Sequence, residues 1–132
     1  MHRHTISVQS NHDIVVLRTT VMNDAREVGM SPLDRTKLVT AVSELARNTL
    51  VHGGGGTVLV DLVMADDRRG MRLSFVDQGK GIPDVDAAMR DGFTTGKSLG
   101  LGLPGARKLV DEFDLHSVPG AGTTVAIVKW TR

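Results

Sequence analysis

The chain has 132 residues, enough for one compact domain, and its 40% hydrophobic and 23% charged residues are typical of a folded protein rather than a disordered one. A formal net charge of +1, without a run of Lys or Arg, argues against nucleic-acid binding. The absence of Cys excludes disulfides and thiolate metal sites, and there is no signal-like N-terminus or apolar stretch of about 18 residues. We therefore expect a single cytoplasmic domain over residues 1–132, with no membrane or nucleic-acid partner.

One strand and two helices are predicted in the first part of the chain. Thr5–Gln9 alternates as a short strand, and apolar residues recur at helical spacing across Asp13–Val28. A second helix begins with Ser31 as its N-cap and Pro32 at its first position. We expect this helix to end near Val51, because a run of four glycines follows.

The rest of the chain reads mainly as β-structure with short helices. Thr57–Met64 and Met71–Val76 are β-rich segments joined by a polar connection that suits an antiparallel hairpin. A short helix is predicted over Asp84–Arg90, a surface loop over Gly92–Gly102 and a further helix over Pro104–Phe113. Two strands, Leu115–Val118 and Thr123–Trp130, complete the order. This order predicts an α/β fold of the α+β two-layer sandwich type, with helices on one face of a mixed, mostly antiparallel sheet.

Two short polar motifs carry candidate chemistry. Glu44, Asn48 and His52 are spaced four residues apart, so they form one stripe on the second helix. The carboxylate could accept a proton, and the Asn48 amide oxygen is a ligand type that Mg²⁺ accepts. Asp77 follows a strand and precedes Gly79 and Gly81, where a flat ligand could approach the backbone. Taken singly, the stripe could be a solvated helix face and the glycine segment an ordinary turn.

Two glycine-rich segments imitate known phosphate motifs. Gly92–Ser98 has three residues between its glycines where a P-loop requires four, and Gly100–Gly105 matches a dinucleotide-binding fingerprint only by its letters. Neither segment follows a predicted strand, as both motifs require. What remains is a glycine-rich lead into a helix, whose free N–H groups can bind phosphate.

The order of these motifs resembles the GHKL ATPase superfamily, which includes the ATP domains of gyrase, Hsp90-type proteins and histidine kinases. The resembling pieces are E-x-x-x-N on a helix, D-x-G-x-G after a strand, a glycine-rich segment ending G-L-G-L, and a final G-x-G-T. Within that superfamily the chain is similar to the serine/threonine kinases of bacterial anti-sigma and stress pathways, including the switch kinases of the stressosome. The resemblance implies a Bergerat-type ATP-binding fold.

The resemblance also implies roles for individual residues. Glu44 would be the catalytic base, Asn48 would coordinate Mg²⁺, and Asp77 would bind the adenine amino group. The full set of implied ATP-binding residues is Asn48, Asp77, Gly79, Gly81, Ile82, Lys97, Ser98, Leu99, Gly100, Leu101, Gly102, Leu103 and Thr123. Whether Lys97 contacts the γ-phosphate stays open, because this region varies across the superfamily.

The family relationship further implies protein partners. The phosphoacceptor would be a serine, or also a threonine, on a separate STAS-domain antagonist, and the kinase would afterwards bind and activate a PP2C-type phosphatase. Two other hypotheses remain. The chain could be a nucleotide-switched binding module, such as an anti-sigma factor that binds a sigma factor, or a small α/β protein that binds no nucleotide.

Overall fold

The computed structural model describes residues 1–79, 81, 89 and 102–132. In these residues five strands and three helices follow one another: β1 (His2–Val8), α1 (Asn11–Glu27), α2 (Pro32–Val51), β2 (Gly56–Ala65), β3 (Arg68–Asp77), α3 (Gly102–Lys108), β4 (Glu112–Val118) and β5 (Gly122–Trp130). The helix predicted over Asp84–Arg90 and the loop predicted over Gly92–Gly102 lie outside the described residues, except for Met89 and Gly102.

Both long helices begin directly after a serine N-cap. The Ser10 hydroxyl accepts a hydrogen bond from the Asp13 amide, and the Ser31 hydroxyl accepts one from the Asp34 amide, each at 3.2 Å. Such caps satisfy amide groups that have no partner inside the helix. The N-cap predicted at Ser31 and the helix end predicted near Val51 are confirmed.

The five strands form one sheet in the order β1-β2-β3-β5-β4, and every pairing among the described strands is antiparallel. The hairpin of β2 and β3 is longer than predicted, since Ala65 pairs with Arg68 across a two-residue turn. Asp66 in this turn has a φ of 54°, a conformation that Asp tolerates better than most residues. This extension adds pairs at the hairpin end opposite to Asp77.

The predicted helix over Pro104–Phe113 was wrong at its C-terminal end. The helix α3 ends at Lys108, and Phe113 lies in β4, opposite Ile127 of β5. The segment Glu112–Val118 alternates exposed and half-buried residues, which is the period of a strand. Pairing with β5 therefore overrides the helical spacing that the sequence continues past Lys108.

The core lies between the helices and one face of the sheet. Alternate residues of the central strand β3, Met71, Leu73 and Phe75, are buried at 2% exposure or less. They pack with a cluster that includes Leu17 of α1 and Leu45 of α2. The predicted α/β fold class, with helices covering a sheet, is confirmed.

A buried lysine connects the last strand to both neighbouring helices. The Lys129 side chain is only 4% exposed, and its Nζ donates to the Leu109 carbonyl oxygen at 2.9 Å, just beyond the end of α3. The same Nζ lies 3.6 Å from a carboxylate oxygen of Asp34, in the first turn of α2. A buried ammonium group of this kind needs such partners, because it has left water.

Asp111 fixes the C-terminal end of β5. Its carboxylate accepts hydrogen bonds from the Trp130 amide at 2.7 Å and from the Arg132 guanidinium. Partial burial raises the pKa of Asp111, but these two donors and the positive charge of Lys129 outweigh it and hold the pKa below its ordinary value. The ionised carboxylate therefore stabilises the folded chain.

Candidate functional site

The candidate site lies where the C-terminal half of α2 meets the end of β3. Glu44 and Asn48 are one helical turn apart on α2, and both side chains are half-buried. Leu45 and Thr49, one position further along in each case, are buried against the core. The core-facing residues therefore set the rotation of α2, which leaves Glu44 and Asn48 at the border of the buried face.

Asp77 is the last residue of β3, where Gly56 of β2 and Thr123 of β5 are its cross-strand partners. Its Oδ1 accepts hydrogen bonds from the Gly79 amide at 2.9 Å and from the Thr123 amide at 3.3 Å. Within the part of the chain that the structure describes, no donor is bonded to Oδ2. The carboxylate is thus oriented through Oδ1, while Oδ2 lies on the side of Gly53 and makes no hydrogen bond within the described residues.

Gly53 brings the end of α2 into contact with Asp77. The Gly53 amide bonds to the Asn48 carbonyl oxygen at 3.2 Å, which closes the helix end. A Cβ atom at Gly53 would lie only 2.5 Å from both Cβ and Cγ of Asp77, and one at Gly79 would lie 2.7 Å from the Gly53 Cα. The lack of side chains at these positions lets the Asn48 end of α2 and the Asp77 loop meet.

Two further glycines in the site have left-handed backbone conformations. Gly81 has a φ of 76° and Gly122 a φ of 112°. A Cβ atom at Gly81 would lie 2.4 Å from the Val118 carbonyl oxygen, and one at Gly122 would lie 2.1 Å from the Asp77 carbonyl oxygen. Any other residue would be strained and would also clash, so the Asp77 end of the sheet depends on glycine here.

Glu44 is bound to the first residue of α3. Its Oε2 accepts a hydrogen bond from the Gly102 amide at 3.2 Å, and Gly102 has a φ of 67°. The next residue, Leu103, packs into the core at 9% exposure. The structure therefore brings Glu44 together with the end of the glycine-rich segment. The other predicted ATP-binding residues of this region lie outside the described residues: Ile82, Lys97, Ser98, Leu99, Gly100 and Leu101.

Sequence reasoning missed Gly53 and Ser117. Gly53 belongs to the glycine run that directly follows the polar stripe of α2, and that position was the available signal. The Ser117 hydroxyl lies 2.8 Å from the Thr123 hydroxyl across the β4–β5 hairpin. Its signal was the hairpin itself, since a serine and a threonine flank the tight turn as cross-strand partners.

Residues 33–131 match the family model described as Histidine kinase-, DNA gyrase B-, and HSP90-like ATPase. The chain belongs to this ATPase family. It is 41% identical over 127 residues to the Serine/threonine-protein kinase RsbT of Bacillus subtilis (strain 168), a match that covers 96% of each chain. It is also 29% identical over 119 residues to the Anti-sigma F factor of Thermoanaerobacter sp. (strain X514), covering 86% of this chain and 82% of that protein. The GHKL resemblance inferred from the motifs is confirmed.

Solved structures of two other proteins share the fold of this ATPase. The RsbU and RsbW domains of a Mycobacterium tuberculosis protein align with a TM-score of 0.66 at 21% identity, covering 98% of this chain and 33% of that one. The mycobacterial sensor histidine kinase MprB aligns with a TM-score of 0.56 at 20% identity, covering 100% of this chain and 99% of that one. At such identities the likeness concerns the fold alone.

The described residues of this family member contain no cluster of metal-binding side chains and no helix that could span a membrane. In residues 1–79, 81, 89 and 102–132, no group of three His, Cys, Asp or Glu side chains could hold a metal ion. No helix in the same residues is long and apolar enough to cross a membrane. Asn48 contributes a single amide oxygen, so a divalent ion there would need most of its ligands from water or from a bound molecule.

Proposed function

We propose that the protein is an ATP-dependent serine/threonine protein kinase of a cytoplasmic partner-switching pathway. It phosphorylates a STAS-domain antagonist of the RsbS or RsbR kind and then binds and activates a PP2C-type phosphatase of the RsbU kind. The observation that carries the proposal is the site itself. Asp77 has one carboxylate oxygen that makes no hydrogen bond within the described residues, and it lies beside Gly53, just after the helix turns that carry Glu44 and Asn48.

The Asp77 side of the site suits adenine. A carboxylate oxygen accepts hydrogen bonds, and Oδ2, which makes none within the described residues, could accept one from the 6-amino group of the base. Gly79 and Gly81 let the loop after Asp77 pack against the backbone of Gly53 and Val118, and we propose that the base lies along this loop. Thr123 is the cross-strand neighbour of Asp77 and adds a hydroxyl at the same edge.

The Glu44 side of the site suits the triphosphate. Asn48 would hold Mg²⁺, an ion that usually keeps waters and substrate phosphates as its other ligands and that neutralises phosphate charge when bound. The Gly102 amide lies beside Glu44, at the end of the glycine-rich segment. We propose that this segment, with Lys97, Ser98, Leu99, Gly100, Leu101 and Leu103, as well as Ile82 near the base, completes the ATP site.

The transfer step is a displacement at phosphorus. The hydroxyl oxygen of the acceptor serine forms a bond to the γ-phosphorus, and the bond between that phosphorus and the β–γ bridging oxygen breaks, so that ADP leaves. Glu44 takes the proton from the serine hydroxyl. Because the protein mainly positions and neutralises the reacting groups in such reactions, the arrangement of Glu44, Asn48 and Gly102 matters more than covalent chemistry by the protein.

A phosphorylation assay tests the proposal. The protein is incubated with γ-labelled ATP, Mg²⁺ and a purified STAS-domain antagonist, with an acceptor-serine-to-alanine variant of the antagonist as control. We expect label on the antagonist only when the serine is present. Absence of label from a protein that demonstrably binds ATP would refute the kinase assignment.

Two substitutions separate the two sides of the site. Asp77→Asn replaces the charged acceptor by an amide, and we expect ADP affinity to fall about 10- to 150-fold, the effect of one charge-assisted hydrogen bond. Glu44→Gln keeps the size of the side chain and its acceptor oxygen for the Gly102 amide. We expect this variant to bind ADP normally and to lose transfer, since the amide cannot accept the serine proton.

The similarity to anti-sigma F factors favours a second candidate, a nucleotide-switched module that binds a sigma factor without obligatory transfer. Glu44→Gln discriminates the two. If the variant restores the stress response of a deletion strain, transfer is dispensable and the module is the better description. Under the kinase proposal the response fails to return.

A further inference from the structure

One stripe of exposed and half-buried side chains runs along the outer face of α2. Its members are spaced three or four residues apart and therefore share one helix face: Leu33, Thr36, Thr40, Glu44, Arg47 and Val51. We call these six residues the outer stripe. Both of its ends are apolar and exposed, Leu33 at 65% and Val51 at 64%. At a rise of 1.5 Å per residue the stripe is about 27 Å long.

The polar groups of the outer stripe leave one cation without a partner. The Thr36 hydroxyl donates to the Pro32 carbonyl oxygen at 3.0 Å, and the Thr40 hydroxyl donates to the Thr36 carbonyl oxygen at 2.8 Å. Glu44 is the only acidic residue of the stripe, and its carboxylate is bonded to the Gly102 amide. Arg47 is exposed and forms no hydrogen bond or ion pair with another described residue. The stripe thus presents a single unpaired positive charge between two apolar ends.

Among the described residues, the outer stripe leads from solvent to Glu44. The neighbouring Leu45 is buried in the core, and the Gly102 amide of α3 lies against the Glu44 carboxylate. Thr40 and Arg47 lie one helical turn before and after Glu44 on the exposed face. An acceptor serine on a separate protein must reach Glu44, so the residues around that serine come to lie on this stripe.

The composition of the outer stripe indicates the chemistry of its partner. The exposed ends at Leu33 and Val51 suit apolar contacts, and arginine is enriched in protein interfaces. The guanidinium group of Arg47 matches a carboxylate, to which it can donate two parallel hydrogen bonds. A standard interface buries about 800 Å² per partner, which is roughly 30 Å across, so the length of the stripe is that of one interface.

We propose that the outer stripe of α2 is the docking surface for the acceptor protein, and that Arg47 binds a carboxylate of that protein beside its acceptor serine. The inference rests on the proposed function, because Glu44 as the base defines where the serine lies. Arg47 touches neither the nucleotide nor the reacting atoms and is a positioning residue for the acceptor. Its effect therefore belongs to the KM for the acceptor protein rather than to kcat.

Steady-state transfer of labelled phosphate to a purified STAS-domain antagonist tests the inference. The variants are Arg47→Glu, Arg47→Lys, which keeps the positive charge, and Arg69→Glu as a matched control. Arg69 is an exposed arginine of β3 that pairs with Met64, at the hairpin end opposite to Asp77. Calorimetric titration of each variant with ADP and Mg²⁺ measures nucleotide affinity separately.

We expect Arg47→Glu to raise the KM for the antagonist about 3- to 20-fold, because an attraction between exposed charges becomes a repulsion of similar size. The kcat and the ADP Kd stay close to wild type. The difference in KM shrinks when the salt concentration rises from about 0.05 to 0.5 M, since salt screens exposed charges. Arg47→Lys and Arg69→Glu keep the KM close to wild type.

Leu33→Ser tests the far end of the outer stripe, 11 positions from Glu44. Loss of this apolar contact should raise the KM for the antagonist about 3- to 10-fold. Met64→Ser is the matched control, because Met64 is 71% exposed on the β2–β3 hairpin, outside the stripe. An unchanged KM in Leu33→Ser, or an equal rise in both variants, would overturn the stripe as the docking surface.

An exchange of charges identifies the group that Arg47 binds. Each surface Asp or Glu beside the acceptor serine of the antagonist is changed to Arg in turn, and one of these changes should restore the KM of Arg47→Glu. The inference is overturned if none does so, or if Arg47→Glu has the wild-type KM. It is also overturned if Arg47→Glu weakens ADP binding and leaves the antagonist KM unchanged, because Arg47 would then bind the nucleotide phosphates.

Failure of the proposed function is seen in the wild-type protein alone. A wild-type protein that binds ATP but places no label on the antagonist refutes the kinase assignment, and the docking inference falls with it. When the wild-type protein transfers label and the Arg47 and Leu33 variants behave like their controls, only the docking inference is refuted.

Discussion

Replacing Gly53 by alanine tests whether the contact between α2 and Asp77 determines ADP affinity, beyond its effect on the stability of the chain. The added Cβ atom would lie 2.5 Å from the Asp77 Cβ, whereas ordinary contacts begin at 3.4 Å, so one side must move by about 0.9 Å. Rotation of the Asp77 side chain cannot relieve this clash, because the Cβ position is fixed by the backbone of β3. The loop at Gly53 and the end of β3 must therefore move apart.

The expected loss can be estimated from what Asp77 does. If the movement breaks one hydrogen bond between its carboxylate and the nucleotide, about 1.5 to 3 kcal/mol is lost, which corresponds to a 10- to 150-fold weaker Kd for ADP. The overpacked contact should also lower the free energy of unfolding by about 1 to 3 kcal/mol. Gly53 does not have a left-handed φ, so alanine itself is not strained there.

The neighbouring glycine provides a matched control. Gly54 has a φ of 72°, but a Cβ atom there would meet nothing within 4 Å. Gly54→Ala should therefore lower stability by about 1 to 2 kcal/mol through backbone strain and leave ADP binding unchanged. Urea unfolding and calorimetric titration with ADP measure the two quantities. Equal ADP affinity in both variants, at similar losses of stability, would refute the contact as a determinant of the site.

Three further predictions concern stability and are measured by urea unfolding. Lys129→Met should lower the free energy of unfolding by about 3 to 5 kcal/mol, because it leaves the Leu109 carbonyl and the Asp34 carboxylate without the buried ammonium; a loss below 1 kcal/mol would contradict this. Asp111→Asn should cost about 1 to 2 kcal/mol at pH 7. Folding lowers the pKa of Asp111, so the stabilisation by its ionised carboxylate is fully present above its unfolded pKa of 3.8. This stabilisation is lost as the pH falls through the lower pKa of the folded state. The difference in free energy of unfolding between wild type and Asp111→Asn must therefore shrink in acid. Ser31→Ala should cost about 1 kcal/mol through loss of the cap on α2, and an unchanged midpoint would exclude the cap as a contributor.

Much of the fold was predictable because local signals and tertiary packing agree. Ser31 and Pro32 mark the start of α2, and the alternation in β2 and β3 marks the hairpin. The junction between α3 and β4 was not predictable in the same way. Leu109 and Val110 continue a helical spacing, and only the pairing of Phe113 with β5 decides that the following residues form a strand.

The candidate site was predictable as a set of residues but not as an arrangement. The spacing of Glu44 and Asn48 places both on one helix face, and Asp77 follows a strand, yet nothing local says that they meet. Gly53 decides this through its contact with Asp77, which is 24 positions away in the chain. Contacts of this kind depend on the register of α2 against β3, which no short motif encodes.

The helix α3 is held at both ends by groups that also contact α2. At its first residue, the Gly102 amide donates to Glu44, and just beyond its last turn the Leu109 carbonyl accepts from Lys129, which faces Asp34 at the start of α2. A displacement of α3 along its axis would therefore change the Glu44 contact and the Lys129 contact together. The carboxylate proposed as the base and the buried lysine belong to one connected unit, although they lie on different secondary-structure elements and 85 positions apart in the chain. The position of Glu44 is thus set partly by Lys129 of the C-terminal strand, a residue outside every motif by which the site was recognised.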